Sequence, residues 1–312
     1  MAMVPIRRRR TAARGLLLRK QKKHATIITG TFHNRTKNSM ATIKEVRDYW
    51  QENPLLSFEL KDLGSPAFFE ELDRIKRRDI ESFAFAYWAF DSFKNKKVLD
   101  VGCGPGWLTA AYAQNGACVY ALDLTLRALE LTQKHLRFRN TDAHLQQASA
   151  EELPFKDNTF DLVVASGVLH HTPDTLQAFR ECLRVTKPGG RAKITLYRKG
   201  IFHTNETLFN FTRKAMQWLN VKHPGADMAS TARNADDFIR QYDGVGNPIG
   251  IAKTNKEWKA LLAQCGFTVL RLETHFFPAR FLPFRRLPTT LHFFCDRLLG
   301  TMAYFDLQKP SA

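Results

Sequence analysis

The feature that most constrains the fold of this chain is a glycine-rich turn between two short apolar runs. Residues 98, 99 and 101 are apolar and branched, which is typical of a buried strand. Three glycines follow, and the next residues can form a helix. Glycine is needed where the backbone takes a positive φ or where a ligand approaches the main chain. The second apolar run ends in Asp123, which is placed to accept hydrogen bonds from ribose hydroxyls. The pattern predicts a nucleoside-binding crevice at the carboxyl edge of a parallel sheet.

The spacing of the glycines narrows the choice of ligand. Gly102, Gly104 and Gly106 do not fit the dinucleotide pattern G-x-G-x-x-G, because the third glycine comes one residue early and Trp107 holds its place. We therefore expect a ligand that places no phosphate at the turn. S-adenosylmethionine is such a ligand. Asp100 is placed to attract its ammonium group, and the backbone N–H groups of the turn can face its carboxylate.

The sequence resembles the class I S-adenosylmethionine-dependent methyltransferases, in particular the type 11 group that includes the ubiquinone and menaquinone C-methyltransferases. The resemblance covers roughly residues 95–198. It is carried, in the order of the family's motifs, by residues 99–106, 121–123, 148–155, 160–164 and 183–190. Ser149 stands where the adenine loop of the family usually has Asp or Asn.

The resemblance implies S-adenosylmethionine as the cofactor. Together with the turn it gives a set of expected cofactor contacts: Asp100, Gly102, Cys103, Gly104, Asp123, Leu124, Ser149, Ala150, Glu151 and Ser166.

Strands and helices alternate from residue 97 onward, which predicts parallel pairing with right-handed crossovers. The expected fold class is α/β: a Rossmann-like, doubly wound, seven-stranded, mostly parallel sheet with N-terminal helices and lid insertions. The resemblance implies that the last two strands pair antiparallel. We also expect one helix over residues 65–93 and a turn at 187–190. The expected divisions are a basic tail at 1–40, a helical cap at 41–94 and a methyltransferase domain at 95–312, with insertions at 198–253 and 278–299.

Composition limits the class of protein. The hydrophobic fraction of 44% is normal for a globular chain, and no run approaches the roughly 18 apolar residues of a transmembrane helix. The five cysteines are scattered, with no C-x-x-C pair. This pattern argues for a reducing compartment, such as the cytoplasm, and against a structural zinc site.

The net charge of +17 is largely a property of the first 40 residues. They hold eleven of the 47 Lys and Arg residues and no acidic residue, and such a segment cannot bury enough apolar surface to fold alone. Three interpretations remain open: a disordered tail that touches an anionic membrane or nucleic acid, an organelle-targeting segment, or a stretch that precedes a true start at Met40. The charge is weak support for nucleic-acid binding by the rest of the chain.

The candidate catalytic residues follow the fourth and fifth predicted strands. His170 and His171 come directly after the fourth strand, and imidazole can take a proton near pH 7. Because adjacent side chains in a turn diverge, we expect at most one of them to face a substrate. Tyr197, at the end of the fifth strand, is expected to face the same crevice. The histidine pair has no further ligands at suitable spacing, so no metal site is expected.

Candidate substrate contacts come from two more distant segments. Tyr49 and Trp50 form an aromatic pair before a proline-terminated turn, and they either line the substrate site or pack on the sheet edge. In the first insertion, which can act as a lid over the carboxyl edge of the sheet, Tyr242, Asp243 and Asn247 lie in a turn-rich stretch. The aromatic stretch 275–286 could cover an apolar substrate or rest on a membrane surface.

The leading hypothesis is therefore direct methyl transfer to a small, amphiphilic acceptor. A methyl group on a sulfonium is already activated, so the protein mainly aligns the acceptor and excludes water. One alternative is an RNA or protein methyltransferase that uses the basic tail. Another is a scaffold that binds the cofactor without catalysis, although the intact Asp100, Gly102, Gly104 and Asp123 argue against it.

Overall fold

The computed structural model describes residues 41–55, 60–77, 83–218, 232–244, 246–277 and 289–311. The predictions for the basic tail at 1–40, and for the first part of the second insertion, lie outside these residues. In the part of the chain that is described, no helix is long and apolar enough to span a membrane.

The described chain alternates between strands and helices. The strands are β1 (Lys97–Val101), β2 (Cys118–Asp123), β3 (His144–Gln147), β4 (Phe160–Ser166), β5 (Thr186–Tyr197), β6 (Thr268–His275) and β7 (Met302–Gln308). The helices are α1 (Ile43–Glu52), α2 (Pro66–Ile75), α3 (Ala84–Trp88), α4 (Trp107–Gln114), α5 (Leu126–Phe138), α6 (Thr175–Val185), α7 (Ile201–Thr204), α8 (Glu206–Trp218), α9 (Ala235–Arg240), α10 (Asn255–Gln264) and α11 (Thr289–Leu299).

The seven strands form one sheet in the order β3-β2-β1-β4-β5-β7-β6. The strands from β3 to β5 pair in parallel, and β7 runs antiparallel to both of its neighbours. The predicted seven-stranded, mostly parallel, Rossmann-like sheet is thus confirmed. The strand order reverses between β1 and β4, and ligands of such sheets bind at the carboxyl edge beside this reversal.

Two hydrophobic layers cover the two faces of the sheet. On one face, helices α6 and α10 pack on the strands through the fully buried Phe179, Cys182 and Trp258. On the other face, α2 to α4 contribute a mostly aromatic layer that includes Phe69 and Trp88. The sheet is therefore doubly wound, and its carboxyl edge is left for a site.

The single helix expected over residues 65–93 is wrong. Ser65 caps α2 as its sequence suggests, with its hydroxyl accepting from the main chain of Phe68 at 3.1 Å. Helix α3 ends at Ala89, which is left-handed with a φ of +49°. A short 3-10 helix, Phe90–Phe93, follows. Tyr87, Trp88 and Phe90 are all buried, and the left-handed Ala89 interrupts the helix between Trp88 and Phe90.

The predicted turn at residues 187–190 lies inside β5. The pairing with β4 jumps from Phe160–Thr186 to Leu162–Arg191, so these residues form a bulge rather than a separate turn. Gly189 has a φ of +72°, which a bulge of this kind accommodates. The direction of β5 beyond the bulge, and hence the place of Tyr197, is as expected.

Candidate functional site

Two of the three glycines in the turn are closely packed against side chains, and the third has open space beside it. Gly102, Gly104 and Gly106 all have positive φ values of 72°, 52° and 77°. A Cβ atom on Gly102 would lie 2.5 Å from the side chain of Val168, and one on Gly106 would lie 2.8 Å from that of Thr132. A Cβ on Gly104 would meet no heavy atom within 4 Å. Only Gly104 is thus free of a packing restraint, and its main chain is accessible to a ligand.

Asp123 lies at the end of β2, beside this opening. One of its carboxylate oxygens accepts from the Gly104 N–H at 3.1 Å, and the other accepts from the Thr125 N–H and hydroxyl at 2.9 Å each. Burial raises the pKa of Asp123, and the hydrogen bonds from Thr125 and Gly104 oppose that rise. The oxygen held by Gly104 keeps an unused lone pair. The carboxylate can therefore accept a further hydrogen bond from a ligand hydroxyl.

Asp100 lies below the turn and is only 2% exposed. The Thr109 hydroxyl donates to one of its oxygens at 2.6 Å. Burial, with a smaller contribution from the charge of Asp123, raises the pKa of Asp100 to about 7, although the bond from Thr109 opposes the rise. A cation that approached this carboxyl group would favour its ionised form.

The remaining expected cofactor contacts lie around the same edge. The Ser149 hydroxyl accepts from the Glu151 N–H at 3.1 Å, and the Glu151 carboxylate accepts from the Asp174 N–H at 2.6 Å, so both side chains organise their own loop. Ala150 is buried between them. The Leu124 carbonyl accepts from Gln147, on β3, at 3.0 Å.

Two further expected contacts flank the turn. The Cys103 sulfur accepts from the Thr132 hydroxyl at 3.3 Å, and burial raises the pKa of this thiol well above its usual range, so it stays protonated. Ser166 ends β4, half-buried and in register with Thr195 on β5.

His170 and His171 form a 3-10 helix, Leu169–His171, directly after β4. Their ring centroids are 4.2 Å apart, and they lie 4.0 Å and 5.3 Å from the ring of Tyr197. The expectation that the two side chains diverge is wrong, because both rings pack against the same tyrosine. The main-chain N–H of His171 also donates to the Val168 carbonyl. This bond links the two histidines to the residue that packs on Gly102.

Only one ring nitrogen of His171 is hydrogen-bonded among the described residues, and its Nε2 is buried near a carboxylate without a hydrogen bond to it. Its Nδ1 lies 2.5 Å from the Ile249 carbonyl, and its Nε2 lies 3.2 Å from Oδ2 of Asp243. The Tyr197 hydroxyl donates to the same Asp243 oxygen. Burial and the charge of Asp243 raise the pKa of Tyr197 well above its usual value, so the phenol remains a donor.

His170 is different, because neither of its ring nitrogens has a hydrogen-bond partner among the described residues. The residue is fully buried. Burial and the neighbouring His171 hold the pKa of His170 well below its usual value, so the ring is neutral. A buried polar group without a partner costs about 1–3 kcal/mol, and this cost would be recovered by a ligand that supplied one.

The N-terminal helix and the first insertion complete this part of the site. The Tyr49 hydroxyl donates to the Asp243 carbonyl at 2.7 Å, and the Trp50 ring lies edge-on to His171 with centroids 5.2 Å apart. The Tyr242 ring is 5.8 Å from that of Tyr197.

We name this set of rings the aromatic cup: Tyr49, Trp50, His170, His171, Tyr197 and Tyr242. Asn247 lies behind it, fully buried, with its amide nitrogen 3.5 Å from Nδ1 of His171. Asp243, a predicted substrate contact, contacts three side chains of the cup. The role of Trp258 was not predicted from the sequence: its indole donates to the Tyr197 carbonyl at 2.8 Å and fixes that end of β5.

Among the described residues, no group of three or more His, Cys, Asp or Glu side chains is placed to hold a metal ion.

Comparison with known proteins agrees with this geometry. Residues 99–194 match a family described as "Methyltransferase domain". This segment runs from β1 into β5 and includes the glycine turn, Asp123 and the histidine pair. The chain contains an S-adenosylmethionine-dependent methyltransferase domain. The predicted family and cofactor are thus confirmed.

The curated relatives are enzymes of quinone metabolism. A ubiquinone biosynthesis O-methyltransferase of Haemophilus ducreyi is 39% identical over 100 residues, which are 30% of this chain and 42% of that protein. The enzyme of the same description from Pseudomonas entomophila is 41% identical over 104 residues, which are 32% of this chain and 44% of that protein. The matched segment thus spans less than half the length of these relatives.

Among solved structures, a candidate methyltransferase from Bacillus halodurans has the same fold. The TM-score is 0.52 at 20% sequence identity, and the match covers 74% of this chain and all of that one. This likeness agrees with the fold of the described sheet.

Proposed function

We propose that this protein transfers a methyl group from S-adenosylmethionine directly to a hydroxyl oxygen of a small, aromatic, quinol-like acceptor held in the aromatic cup. The observation that carries the proposal is the buried, neutral His170 ring, whose two nitrogens have no hydrogen-bond partner among the described residues. The names of the curated relatives, which are O-methyltransferases of ubiquinone biosynthesis, support the same acceptor class.

The residues of the glycine turn fit the cofactor. The open space beside Gly104 lets the cofactor approach the main chain, and Asp123 retains a lone pair for a ribose hydroxyl. Asp100 is a buried carboxyl whose charge an ammonium group would stabilise. When bound, the cofactor supplies a methyl group already activated by its positive sulfur. Ser149, Ala150, Glu151, Leu124, Cys103 and Ser166 stay predictions as contacts.

The aromatic cup favours a flat apolar acceptor. Its rings meet mainly at tilted or edge-on angles. Aromatic ligands gain about 0.5–1.5 kcal/mol from such ring contacts beyond the area that they bury. Tyr49, Trp50, Tyr242 and Asn247 are the proposed acceptor contacts.

The hydroxyl of the acceptor can form a hydrogen bond with the His170 ring. A neutral imidazole offers one N–H donor and one lone pair. A hydroxyl of the acceptor can donate its proton to that lone pair. The acceptor oxygen forms the new O–CH3 bond with its lone pair, the electron pair of the S–CH3 bond stays on sulfur, and the hydroxyl proton passes to His170. Because the oxygen becomes strongly acidic as this bond forms, a weakly basic ring suffices as the general base.

His171 and Tyr197 have other roles in this proposal. Both nitrogens of His171 face protein oxygens, and the Tyr197 hydroxyl is held by Asp243. Each of these side chains thus has a polar atom that is already held by the chain itself. They form the wall of the cup and fix the place of His170.

A labelled-methyl assay tests the proposal. Catechols, hydroquinones and prenylated quinols are compared with matched anilines and with RNA and peptide pools, and cofactor binding is measured separately by calorimetry. We expect label on the hydroxyl compounds, and none on the anilines. Labelling of RNA or peptide alone, or no transfer to hydroxyl compounds by protein that binds the cofactor, would contradict the proposal.

A further inference from the structure

Asp243 contacts three parts of the chain that are far apart in sequence. Its carboxylate accepts from Tyr197, at the end of β5, and lies 3.2 Å from Nε2 of His171, after β4. Its main-chain carbonyl accepts from Tyr49, on α1, at 2.7 Å. One residue of the insertion thus joins the N-terminal helix and two strand ends, and all of these contacts lie in the aromatic cup.

The charge of this carboxylate has no basic side chain beside it. Among the described residues, no Lys or Arg nitrogen lies within ion-pair distance of Asp243, and the nearest cationic candidate is the His171 ring. Arg240, in the same segment, is engaged by Asp237 and by the Asn247 carbonyl. The other titratable groups that face Asp243 and His171 are the phenols of Tyr49, Tyr197 and Tyr242. All three remain protonated, because burial raises the pKa of each.

A half-buried carboxylate without a cation stabilises a positive charge that develops nearby. The proton that leaves the acceptor creates such a charge on the histidine pair, whose rings are 4.2 Å apart. The Asp243 contact also fixes the orientation of the His171 ring, against which His170 packs. We propose that Asp243 is a positioning residue of the methyl transfer: it orients the histidine pair and stabilises the proton that His170 receives. This inference rests on the proposed function.

The test compares Asp243→Asn with Asp236→Asn. Asp236 is the matched control, because it is an exposed aspartate of the same insertion that pairs with Lys199 at 2.6 Å, outside the cup. For Asp243→Asn we expect unchanged cofactor affinity, a KM for the quinol within about threefold, and a kcat lower by roughly 10- to 100-fold, the effect of one hydrogen bond to a charged group. The acid limb of the plot of kcat against pH should move to lower pH, because the proton on the His170–His171 pair is less stabilised. Asp236→Asn should match the wild type.

A second measurement does not depend on activity. In protein loaded with S-adenosylmethionine, the ring ¹⁵N resonances of His171 should shift in Asp243→Asn, and those of His144, an exposed histidine on β3, should not. If the wild type methylates no hydroxyl compound, the proposed function fails, and the NMR result alone decides whether Asp243 positions the ring. The inference is overturned if Asp243→Asn keeps the wild-type kcat, pH profile and His171 resonances, or if it loses cofactor binding.

Discussion

The glycine turn and the aromatic cup lie at the same edge of the sheet but are assembled in different ways. In the turn, the residues that hold Asp123 are its neighbours in sequence or belong to one strand–turn–helix unit. In the cup, a single hydrogen bond joins Tyr49 to Asp243, 194 positions away. Polar groups in the turn are satisfied by the chain itself, whereas His170 in the cup is not. The turn is thus complete as a local structure, and the cup depends on tertiary packing and on its ligand.

The most direct test of this difference is a substitution in the aromatic cup that leaves the glycine turn intact. His170→Leu removes the proposed base, so kcat should fall by roughly 10²- to 10⁴-fold, and cofactor affinity should not change. Because two buried unpaired nitrogens are also removed, the free energy of unfolding should rise by about 1 kcal/mol or more. Methyl-transfer kinetics, calorimetry and chemical denaturation measure the three quantities.

His144→Leu is the control for this change, because His144 is an exposed histidine of the same sheet. It should alter neither kcat nor cofactor affinity. A His170→Leu protein that is less stable than the wild type, or that keeps full activity, would show that the ring has a structural role only.

The same difference explains what could be predicted from the sequence. The strand, glycine turn and acidic strand end are encoded by consecutive residues, and the structure has them as expected. For the cup, residue type and position in the strand order identified Tyr49, His171, Tyr197 and Asp243 as candidates. Their mutual contacts were not predictable, because they depend on how the insertion and α1 pack over the sheet.

Local patterns also failed where burial overrides them. The aromatic run before β1 looked like one helix, but the left-handed Ala89 interrupts it between the buried Trp88 and Phe90. The divergence expected for His170 and His171 failed for a similar reason, since both pack on Tyr197. In each case the deciding contact is with a residue distant in sequence.

A pair of glycine variants separates packing from ligand approach within the turn. Gly102→Ala combines an unfavourable positive φ, about 1–2 kcal/mol, with a Cβ only 2.5 Å from Val168, which adds about 1–3 kcal/mol. Gly104→Ala carries the φ cost alone, because its Cβ meets no atom within 4 Å. We expect Gly102→Ala to lower the melting temperature more, and Gly104→Ala to lower cofactor affinity while leaving most of the stability. Equal losses of stability in the two variants would contradict this view of the turn.

The ribose contact proposed for Asp123 gives a smaller effect. Asp123→Ala should weaken cofactor binding by about 1–3 kcal/mol, from the loss of hydrogen bonds to a charged group. Since Asp123 also accepts from Gly104 and Thr125, stability should fall as well, and Asp123→Asn serves as the milder variant. Asp142→Ala, an exposed aspartate before β3, is the control for calorimetry. Unchanged affinity in a folded Asp123→Ala protein would rule out the ribose contact.

The smallest expected effect is a pH dependence confined to the turn. The pKa of Asp100 is raised to about 7, chiefly by burial and further by the charge of Asp123. The group is thus partly protonated near neutral pH when no cation is present. For this group alone, a folded-state pKa above the unfolded value means that the stability of the cofactor-free protein is highest below about pH 4 and declines as pH rises towards 7.

Cofactor binding should show the opposite trend, because the ammonium group of S-adenosylmethionine favours the ionised Asp100. Affinity should rise by up to roughly fivefold between pH 6 and pH 7, with release of a proton. Calorimetry in two buffers of different ionisation enthalpy measures that proton directly. In Asp100→Asn the proton release should disappear, whereas in His170→Leu it should persist, since the titrating group belongs to the turn and not to the cup. If the proton release vanished in His170→Leu instead, the group that titrates on cofactor binding would belong to the aromatic cup and not to the glycine turn.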